Sequence, residues 1–386
     1  MKIAIYGAGE CGRYVAHEIE GKDSQISCNV FIDNNLSYMD EEIYGVPVVG
    51  VDDFLRLHAK NVESVLVASM NTSVVQEMVI SLLNREYTNI YLLPDTSREG
   101  EFPILNDSGT FRSYVKRYDD IKPVLPYLEY HVSDYCNLKC KGCGHFSNRV
   151  SEKQFPDISQ FRRSLESLAK KFRNIALFRL MGGEPFTNPD LKEFICAVKE
   201  TFPYSTIQIV TNGLLFTKID EETVKAIRQN SAVVDVSQYP PTRKRLEDIM
   251  DFAQRKDIKM HISRPVEKFA KQIRPGGNND PQIAFRNCFS KTCHFLQRDH
   301  VYPCGMVPFL WENRDFLGAD ISEEILRDNS FNLKEGSETG WEILKRMACP
   351  LAVCKYCASE PEWFAWSVSE KEIKKEDWII NEGGAE

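Results

Sequence analysis

The sequence has no long apolar segment and no strongly basic region. No apolar run reaches the roughly 18 residues that a membrane-spanning helix needs, and the start MKIAIYGAG lacks the basic stretch and the cleavage site of a signal peptide. A stripe of Lys and Arg interleaved with aromatic residues is also missing, and the formal net charge of −8 opposes contact with a polyanion. We therefore expect a cytoplasmic protein whose partners include neither a membrane nor a nucleic acid.

Cysteine is too scarce for a disulfide scaffold, and internal repeats and low-complexity segments are absent. The chain has 386 residues, which suits two or three domains of ~150 residues each. Twelve cysteines over this length fit metal or redox sites better than disulfides, particularly in a reducing compartment. Three of them lie within residues 136–143 and six within residues 288–357, so we expect two separate metal sites.

Strand and helix signals alternate along two parts of the chain. Residues 1–97, from KIAIY to NIYLLPD, predict a Rossmann-like parallel sheet with right-handed crossovers. The periodicity is lost in residues 98–125, a predicted linker, and resumes in residues 126–285, which predict a partial barrel with its chemistry at the carboxyl ends of the strands. Residues 286–386 have few clear elements and many cysteines. The predicted class is therefore α/β with a small cysteine-rich third domain.

The stretch CNLKCKGC places Cys136, Cys140 and Cys143 in one loop directly after the strand YLEYHV. Closely spaced thiolates are typical ligands of an iron–sulfur cluster. Three protein ligands leave one iron with an open position, which catalysis at a metal requires. The alternatives are a structural zinc site in which His131 or His145 supplies the fourth ligand, and three cysteines that are neighbours by chance.

The three cysteines occur together with GGEP at residues 182–185 and TNG at residues 211–213, each after a further barrel strand. In combination these motifs resemble the radical S-adenosylmethionine (SAM) enzymes over about residues 127–265. The resemblance implies a partial (βα)6 barrel, a 4Fe-4S cluster on the three cysteines, and SAM chelating the open iron. It further implies reductive cleavage of SAM to a 5′-deoxyadenosyl radical that abstracts hydrogen from a substrate.

The same resemblance implies roles for individual residues in the SAM site. Glu184 is expected to accept a hydrogen bond from the SAM ammonium, and Asn212 and Ser237 are candidates for holding the ribose or the carboxylate. The alternatives are a plain turn at TNG and a capping hydroxyl at Ser237. The family's usual aromatic residue before the last cysteine is here Gly142, so the adenine contact falls to Tyr135, His145 or Phe146. The GGEP residues expected to line the SAM site are Gly182, Gly183, Glu184 and Pro185.

The later cysteines resemble the SPASM or twitch domains that carry auxiliary clusters in many radical SAM enzymes. DHVYPC is similar to their DGxxYPC hairpin, with His300 in place of glycine. This implies a second 4Fe-4S cluster, and a zinc ribbon is the structural alternative. Aromatic residues that follow, Trp363, Phe364, Trp366 and Trp378, either cover the substrate or pack around a cluster. The expected cluster ligands are Cys293, Cys304, Cys354 and Cys357, with Cys288 as the main competitor.

The loop GAGECG has glycines at Gly7, Gly9 and Gly12, and Asp33 follows about 20 residues later, as in a dinucleotide fingerprint. The loop predicts a diphosphate at a helix N-terminus and a ribose hydroxyl on Asp33. FIDNN and YGVPVVG resemble the nucleotide-binding domains of sugar-nucleotide acetyltransferases. The alternative is a domain that has lost its ligand and serves in docking.

Together these features predict a radical SAM oxidoreductase or modifying enzyme, reduced by flavodoxin or ferredoxin. CKGCGHFSN and VSQYP resemble uncharacterised radical SAM proteins of surface-glycan loci, which favours a sugar or sugar-nucleotide substrate in polysaccharide biosynthesis. One alternative is a maturase of ribosomal peptides, although those enzymes usually begin with a winged-helix domain. Another is a non-catalytic iron–sulfur and nucleotide sensor, which would have no need of the GGEP motif.

Overall fold

The computed structural model describes residues 1–22, 26–35, 37–38, 42–93, 115–369 and 372–380. The described chain divides into two compact units, and residues 340–348 join residues 1–123 in the first of them. Both units contain parallel strands connected by helices, so the predicted α/β class is confirmed. Within these ranges, no helix has both the length and the apolar character needed to cross a bilayer.

The strands fall into one sheet for each unit and one additional two-stranded sheet. Their bounds are β1 (Lys2–Tyr6), β2 (Ser27–Ile32), β3 (Glu42–Ile43), β4 (Val46–Val49), β5 (Ser64–Val67), β6 (Ile90–Leu92), β7 (Lys116–Arg117), β8 (Val124–Ser133), β9 (Asn174–Gly182), β10 (Thr206–Thr211), β11 (Val233–Gln238), β12 (Met260–Pro265), β13 (Lys268–Ile273), β14 (Phe295–Gln297), β15 (His300–Tyr302), β16 (Phe331–Asn332) and β17 (Cys357–Ala365).

Most of the α-helices connect successive parallel strands. Their bounds are α1 (Glu10–Lys22), α2 (Val51–Asp53), α3 (Thr72–Leu83), α4 (Ile158–Lys171), α5 (Leu191–Thr201), α6 (Glu221–Gln229), α7 (Pro240–Arg243), α8 (Leu246–Arg255), α9 (Pro281–Asn287), α10 (Met306–Glu312), α11 (Arg314–Leu317), α12 (Glu323–Asp328) and α13 (Gly340–Met347).

The first unit is built on a sheet with the order β3-β4-β2-β1-β5-β6-β7. The five inner strands are parallel and follow the order of a doubly wound sheet, because β1 lies at the centre and the chain moves first to one side and then to the other. Ile3, Ile5 and Phe31 are fully buried in its core. The strand β7 lies inside the predicted linker 98–125 and pairs antiparallel with β6; residues 98–114 of that linker are outside the described ranges.

The second unit has a sheet with the order β12-β11-β10-β9-β8-β14-β15-β16. The strands β8 to β12 are parallel, so their carboxyl ends, and the three motif-bearing loops that follow β8, β9 and β10, lie at one edge. After β12 the chain leaves the sheet, because β13 pairs antiparallel with β17. The cysteine-rich residues then add β14, β15 and β16 beside β8, so they extend the barrel sheet in the same compact unit.

Helix α4 shows how the barrel helices pack. Asp157 accepts a hydrogen bond from the Ser159 amide and caps the helix N-terminus. Phe161, Leu165 and Leu168, spaced by about one helical turn, are fully buried. The helix therefore covers the sheet along one apolar stripe and leaves the carboxyl edge of the strands open for the site.

Candidate functional site

The cysteine loop, residues 134–149, leaves the carboxyl end of β8 and brings three thiols together. Cys136 Sγ accepts hydrogen bonds from the Leu138 amide at 3.4 Å and from Asn212 Nδ2 at 3.7 Å. Cys140 Sγ accepts from the Trp366 indole at 3.3 Å, and backbone amides that follow Cys143 point at its sulfur. Burial raises the pKa of Cys136 to about 12 and also raises the pKa of the other two thiols.

Residues far along the chain hold the cysteine loop in place. The Lys141 amide donates to the Ser367 carbonyl at 2.8 Å, and the Ser369 amide donates to the Lys139 carbonyl at 2.7 Å. The Trp378 indole donates to the Cys143 carbonyl at 2.8 Å. The segment that follows β17 therefore holds the cysteine loop through three hydrogen bonds.

Gly142 explains why no aromatic side chain precedes the last cysteine. Its φ of +62° is in the left-handed region, and a Cβ there would lie 2.6 Å from both the Phe364 ring and the Asp377 carbonyl oxygen. Phe364, from β17, therefore packs against Gly142, and the adenine contact of Tyr135, His145 or Phe146 stays a prediction. The rings of those three residues contact other side chains. Tyr135 lies under the Lys139 ammonium, His145 contacts the His131 ring, and Phe146 stacks on Trp378.

The GGEP motif packs directly against the cysteine loop. The Gly183 amide donates to the Ser133 carbonyl at 2.7 Å, and the Glu184 amide donates to the Tyr135 carbonyl at 2.9 Å. A Cβ at Gly183 would be 2.3 Å from the Tyr135 oxygen, so only glycine permits this approach. A Cβ at Gly182 would likewise lie too close to the backbone, 2.1 Å from the Ser133 carbonyl oxygen. Pro185 begins a short 3-10 turn.

The Glu184 carboxylate joins the GGEP and TNG loops. It is fully buried and accepts from the Thr211 hydroxyl at 2.7 Å, the Asn212 amide at 2.9 Å and the Phe186 amide at 3.2 Å. Burial raises its pKa to about 7. Three of the roughly four acceptor positions of this carboxylate are thereby used. One acceptor position is left for the SAM ammonium, and that hydrogen bond stays a prediction.

Asn212 lies against the thiols, whereas Ser237 has no side-chain hydrogen bond within the described residues. Asn212 Nδ2 donates to Asn137 Oδ1 at 2.8 Å in addition to its contact with Cys136. Ser237 is half-buried in β11, and its carbonyl accepts from the Tyr239 amide at 2.9 Å. The TNG motif is thus more than a turn, while the SAM contacts of both residues stay predictions.

The two histidines considered as zinc ligands bind each other. His131 Nε2 lies 3.0 Å from His145 Nδ1, and His131 Nδ1 lies 2.8 Å from the Asp134 carboxylate. Burial lowers the pKa of His145 to about 3. In the described ranges, no three His, Cys, Asp or Glu side chains converge closely enough to hold one metal ion. A four-iron cluster allows wider spacing, because each cysteine binds a different iron.

Four of the later cysteines surround a small apolar cavity of about 30 Å³. They differ from the expected set, since Cys288 lines this cavity and Cys293 does not. Cys293 lies at a separate cavity, where burial and the Glu129 charge raise the pKa of its thiol to about 11. The four cysteines that line the small cavity are Cys288, Cys304, Cys354 and Cys357.

The glycine-rich loop of the first unit leaves space at one glycine and none at the other two. A Cβ at Gly7, whose φ is +117°, would be 2.4 Å from the Ala68 oxygen, and one at Gly12 would be 1.8 Å from the Gly7 oxygen. No heavy atom lies within 4 Å of a Cβ placed on Gly9. A tight turn, an open approach and close helix packing are the three functions of the glycines in a diphosphate loop.

Asp33 closes this loop internally. Its Oδ2 accepts from the Ala8 amide at 2.8 Å, and its Oδ1 accepts from the Asn35 amide at 2.9 Å. The carboxylate therefore holds the glycine-rich loop against the end of β2. Its predicted contact with a ribose hydroxyl would have to use the remaining lone pairs.

The family model of the Radical SAM superfamily matches residues 130–264. Residues 130–264 are a radical SAM domain. Among solved structures, BtrN in complex with AdoMet and 2-DOIA is 17% identical, covers 67% of this chain and 100% of its own, and has a TM-score of 0.38. SuiB of Streptococcus suis, bound to S-adenosylmethionine, is 20% identical, covers 37% of this chain and 34% of its own, with a TM-score of 0.30.

A third similar structure aligns with a shorter part of the chain. UDP-D-quinovosamine 4-dehydrogenase from Vibrio fischeri is 23% identical, covers 25% of this chain and 79% of its own, and has a TM-score of 0.21. The superfamily model alone carries the assignment, because all three TM-scores are low. The chain spans only 34% of the length of SuiB.

The residues of the radical SAM domain fit the cluster that the family binds. Buried thiols with raised pKa values stay protonated unless a metal deprotonates them, and the amides around Cys143 are suitable donors to a thiolate. Ser147 Oγ and Asn148 Oδ1 are buried without a hydrogen-bond partner among the described residues. A cluster beside Cys143 would give the Ser147 hydroxyl a sulfur acceptor.

A charged network inside the radical SAM domain was missed from the sequence. Arg179 of β9 donates to the Tyr127 hydroxyl at 2.9 Å and to Asp235 at 2.7 Å, and Asp235 pairs with His261 at 2.7 Å. Tyr127 in turn donates to Glu129. Polar residues at alternate positions of β8 were the available signal, since such positions share one face of a strand.

Proposed function

We propose that the protein is a radical SAM enzyme in which Cys136, Cys140 and Cys143 hold a 4Fe-4S cluster. The observation that carries this proposal is that one loop places Cys136 and Cys140, both buried, and Cys143 beside the GGEP and TNG loops inside the matched domain. When bound, the cluster and SAM supply reductive cleavage of the sulfonium to a 5′-deoxyadenosyl radical that removes hydrogen from a substrate.

The chain's own residues position and shield that chemistry. Asn212 and Trp366 donate to thiol sulfurs, which favours the thiolate form when a cluster is present. Phe364 and Trp378 cover the cysteine loop with apolar surface, so water is kept from its inner side. A flavodoxin or ferredoxin is proposed as the electron donor.

The test is formation of 5′-deoxyadenosine from SAM by the anaerobically reconstituted, reduced protein. A radical SAM enzyme forms it slowly even without substrate, whereas a sensor whose clusters only report iron or oxygen does not. Failure to form the product in protein with a full cluster would favour the sensor.

We propose a second 4Fe-4S cluster on Cys288, Cys304, Cys354 and Cys357. Their apolar cavity supports this set, because buried apolar surroundings are usual for such clusters. Four thiolates complete the coordination of a cubane, so this cluster would have no open iron. A zinc ribbon on the same four residues is the alternative.

The iron content tests this ligand set. The wild-type protein should hold about eight irons per chain, and Cys288→Ala should reduce this to about four. Cys293→Ala is the matched control and should retain about eight irons, because Cys293 does not line the cavity that the four proposed ligands share. About four irons in the wild type together with one zinc would show a structural zinc site. Iron loss only in Cys293→Ala would favour the ligand set expected from the sequence, which contains Cys293 in place of Cys288.

We propose that the substrate is a sugar or sugar nucleotide of surface-glycan biosynthesis. The similarity of FIDNN and YGVPVVG to sugar-nucleotide enzymes supports this, and so does the open approach to Gly9. A peptide substrate is the alternative, which the family permits.

UDP- or dTDP-sugars should raise the melting temperature through the first unit. At a ligand concentration of 100 Kd the stabilisation of the first unit would be about 2.7 kcal/mol. Gly9→Asp should abolish the stabilisation of this unit, because the new carboxylate repels the diphosphate. A Cβ at Gly9 meets open space, so the variant should melt like the wild type without ligand. An equal shift in both proteins, or none in the wild type, would leave this unit as a docking module.

A further inference from the structure

A cavity of about 330 Å³ lies between the cysteine loop and the later cysteines. Gly142 and Gly144 of the cysteine loop line one side, and Cys293 and Cys304 line another. Its volume is in the range of about 300–1,000 Å³ that small-molecule sites have. The cavity therefore borders both proposed cluster sites and can hold one small ring.

The floor of this cavity contains a carboxylate that is fixed on one side only. Glu129 is 6% exposed, and its Oε1 accepts from Tyr127 and lies 3.8 Å from Arg179. Its Oε2 accepts no hydrogen bond from the described residues. The charged network thus orients Glu129 and leaves one oxygen for a ligand hydroxyl or amine.

The rim of the cavity contains two exposed aromatic rings. Phe289 is 60% exposed, Trp363 is 57% exposed, and their ring centroids are 6.3 Å apart. Trp363 lies opposite Ala270 in the β13–β17 pair, and this small neighbour leaves the indole uncovered. Large aromatic surface left open beside a cavity is a recognition feature, because it can cover the apolar face of a ligand ring.

We propose that this cavity is the substrate site and that Glu129 and the Phe289–Trp363 pair recognise a polyhydroxylated ring, either a sugar or the sugar end of a nucleotide sugar. A sugar ring offers hydroxyls to the carboxylate and a face of C–H bonds to the aromatic rings. Lys268 also lines the cavity and would attract a phosphate in the nucleotide-linked case. The inference rests on the proposed function for the reaction, but binding can be measured without turnover.

The test is isothermal titration calorimetry on holoenzyme carrying Gly9→Asp, so that the first unit does not contribute. Glucose, glucosamine, UDP-glucose and UDP-N-acetylglucosamine are the probes, with glycyl-lysyl-alanine as the peptide probe. At least one sugar probe should bind. Binding of the UDP-sugars alone would identify the ligand as a nucleotide sugar and not a free sugar. Trp363→Ala should weaken binding about fivefold and Glu129→Gln about tenfold.

Tyr204→Ala is the matched control, since this exposed aromatic side chain precedes β10 at the opposite edge of the sheet. Binding of the peptide instead of sugars, of no probe, or of sugars with equal affinity in all three variants would overturn the inference. Formation of 5′-deoxyadenosine by the wild-type enzyme without sugar is measured separately. If that product forms and the sugars fail, only this inference is lost, and if it does not form, the proposed function itself fails.

Discussion

Replacing Cys140 with Ala is expected to abolish 5′-deoxyadenosine formation and to remove about four irons per chain. Cys140 is 5% exposed, its sulfur accepts from the Trp366 indole, and it is one of the three proposed cluster ligands. A cluster left with two thiolates would be bound too weakly to persist. Iron analysis and product formation, measured on the same preparation, check both parts of the expectation.

Cys196→Ala is the matched control for this experiment. Cys196 lies in α5, and its sulfur contacts Asn230, away from the three motif loops. This variant should retain the full iron content and activity. Product formation by Cys140→Ala at the wild-type rate would contradict the assignment of the cluster, and equal loss in both variants would indicate general damage to the fold.

Gly183→Ala is expected to displace the cysteine loop and to prevent cluster assembly. The added Cβ would lie 2.3 Å from the Tyr135 oxygen and 2.8 Å from the Asp134 oxygen, both of which belong to the backbone of that loop. Overpacking of this kind costs roughly 3 kcal/mol, and backbone atoms cannot move aside as a flexible side chain can. We expect loss of the four irons on this loop and a lower melting temperature.

Gly144→Ala provides the control from within the cysteine loop, because no heavy atom lies within 4 Å of a Cβ placed there. It should bind iron and melt like the wild type. The comparison separates a steric requirement at one glycine from a general need for flexibility in the loop. Full iron content in Gly183→Ala would show that the loop tolerates the shift.

The parts that follow from local patterns were predictable from the sequence. Alternating strand and helix signals predicted the α/β class, and motifs after consecutive parallel strands had to meet at one edge of the sheet. The contacts between the cysteine loop, Gly183 and Asn212 satisfy that expectation. Periodicity and motif spacing predict the fold class and the position of these motifs, because both depend on residues that are close together in the sequence.

The parts that depend on distant segments were not predictable. Spacing alone could not show that Cys288 lines one cavity with Cys304, Cys354 and Cys357, whereas Cys293 does not. The partners that Trp366 and Phe364 find in the cysteine loop are more than 200 residues away, and no local pattern encodes such pairs. The charged network was not predicted, because strand periodicity shows which side chains share a face but not which residues on other strands they pair with.

The contact between Trp366 and Cys140 spans 226 residues and therefore has a consequence for biosynthesis. At a translation rate of about 5–20 residues per second, roughly 10 to 45 s pass between the synthesis of the thiol and that of its indole partner. During this interval the nascent thiols lack their cover and are open to oxidants. Iron delivery before the ribosome has made Trp366 would meet an unfinished loop, so metal loading belongs after that stage of translation.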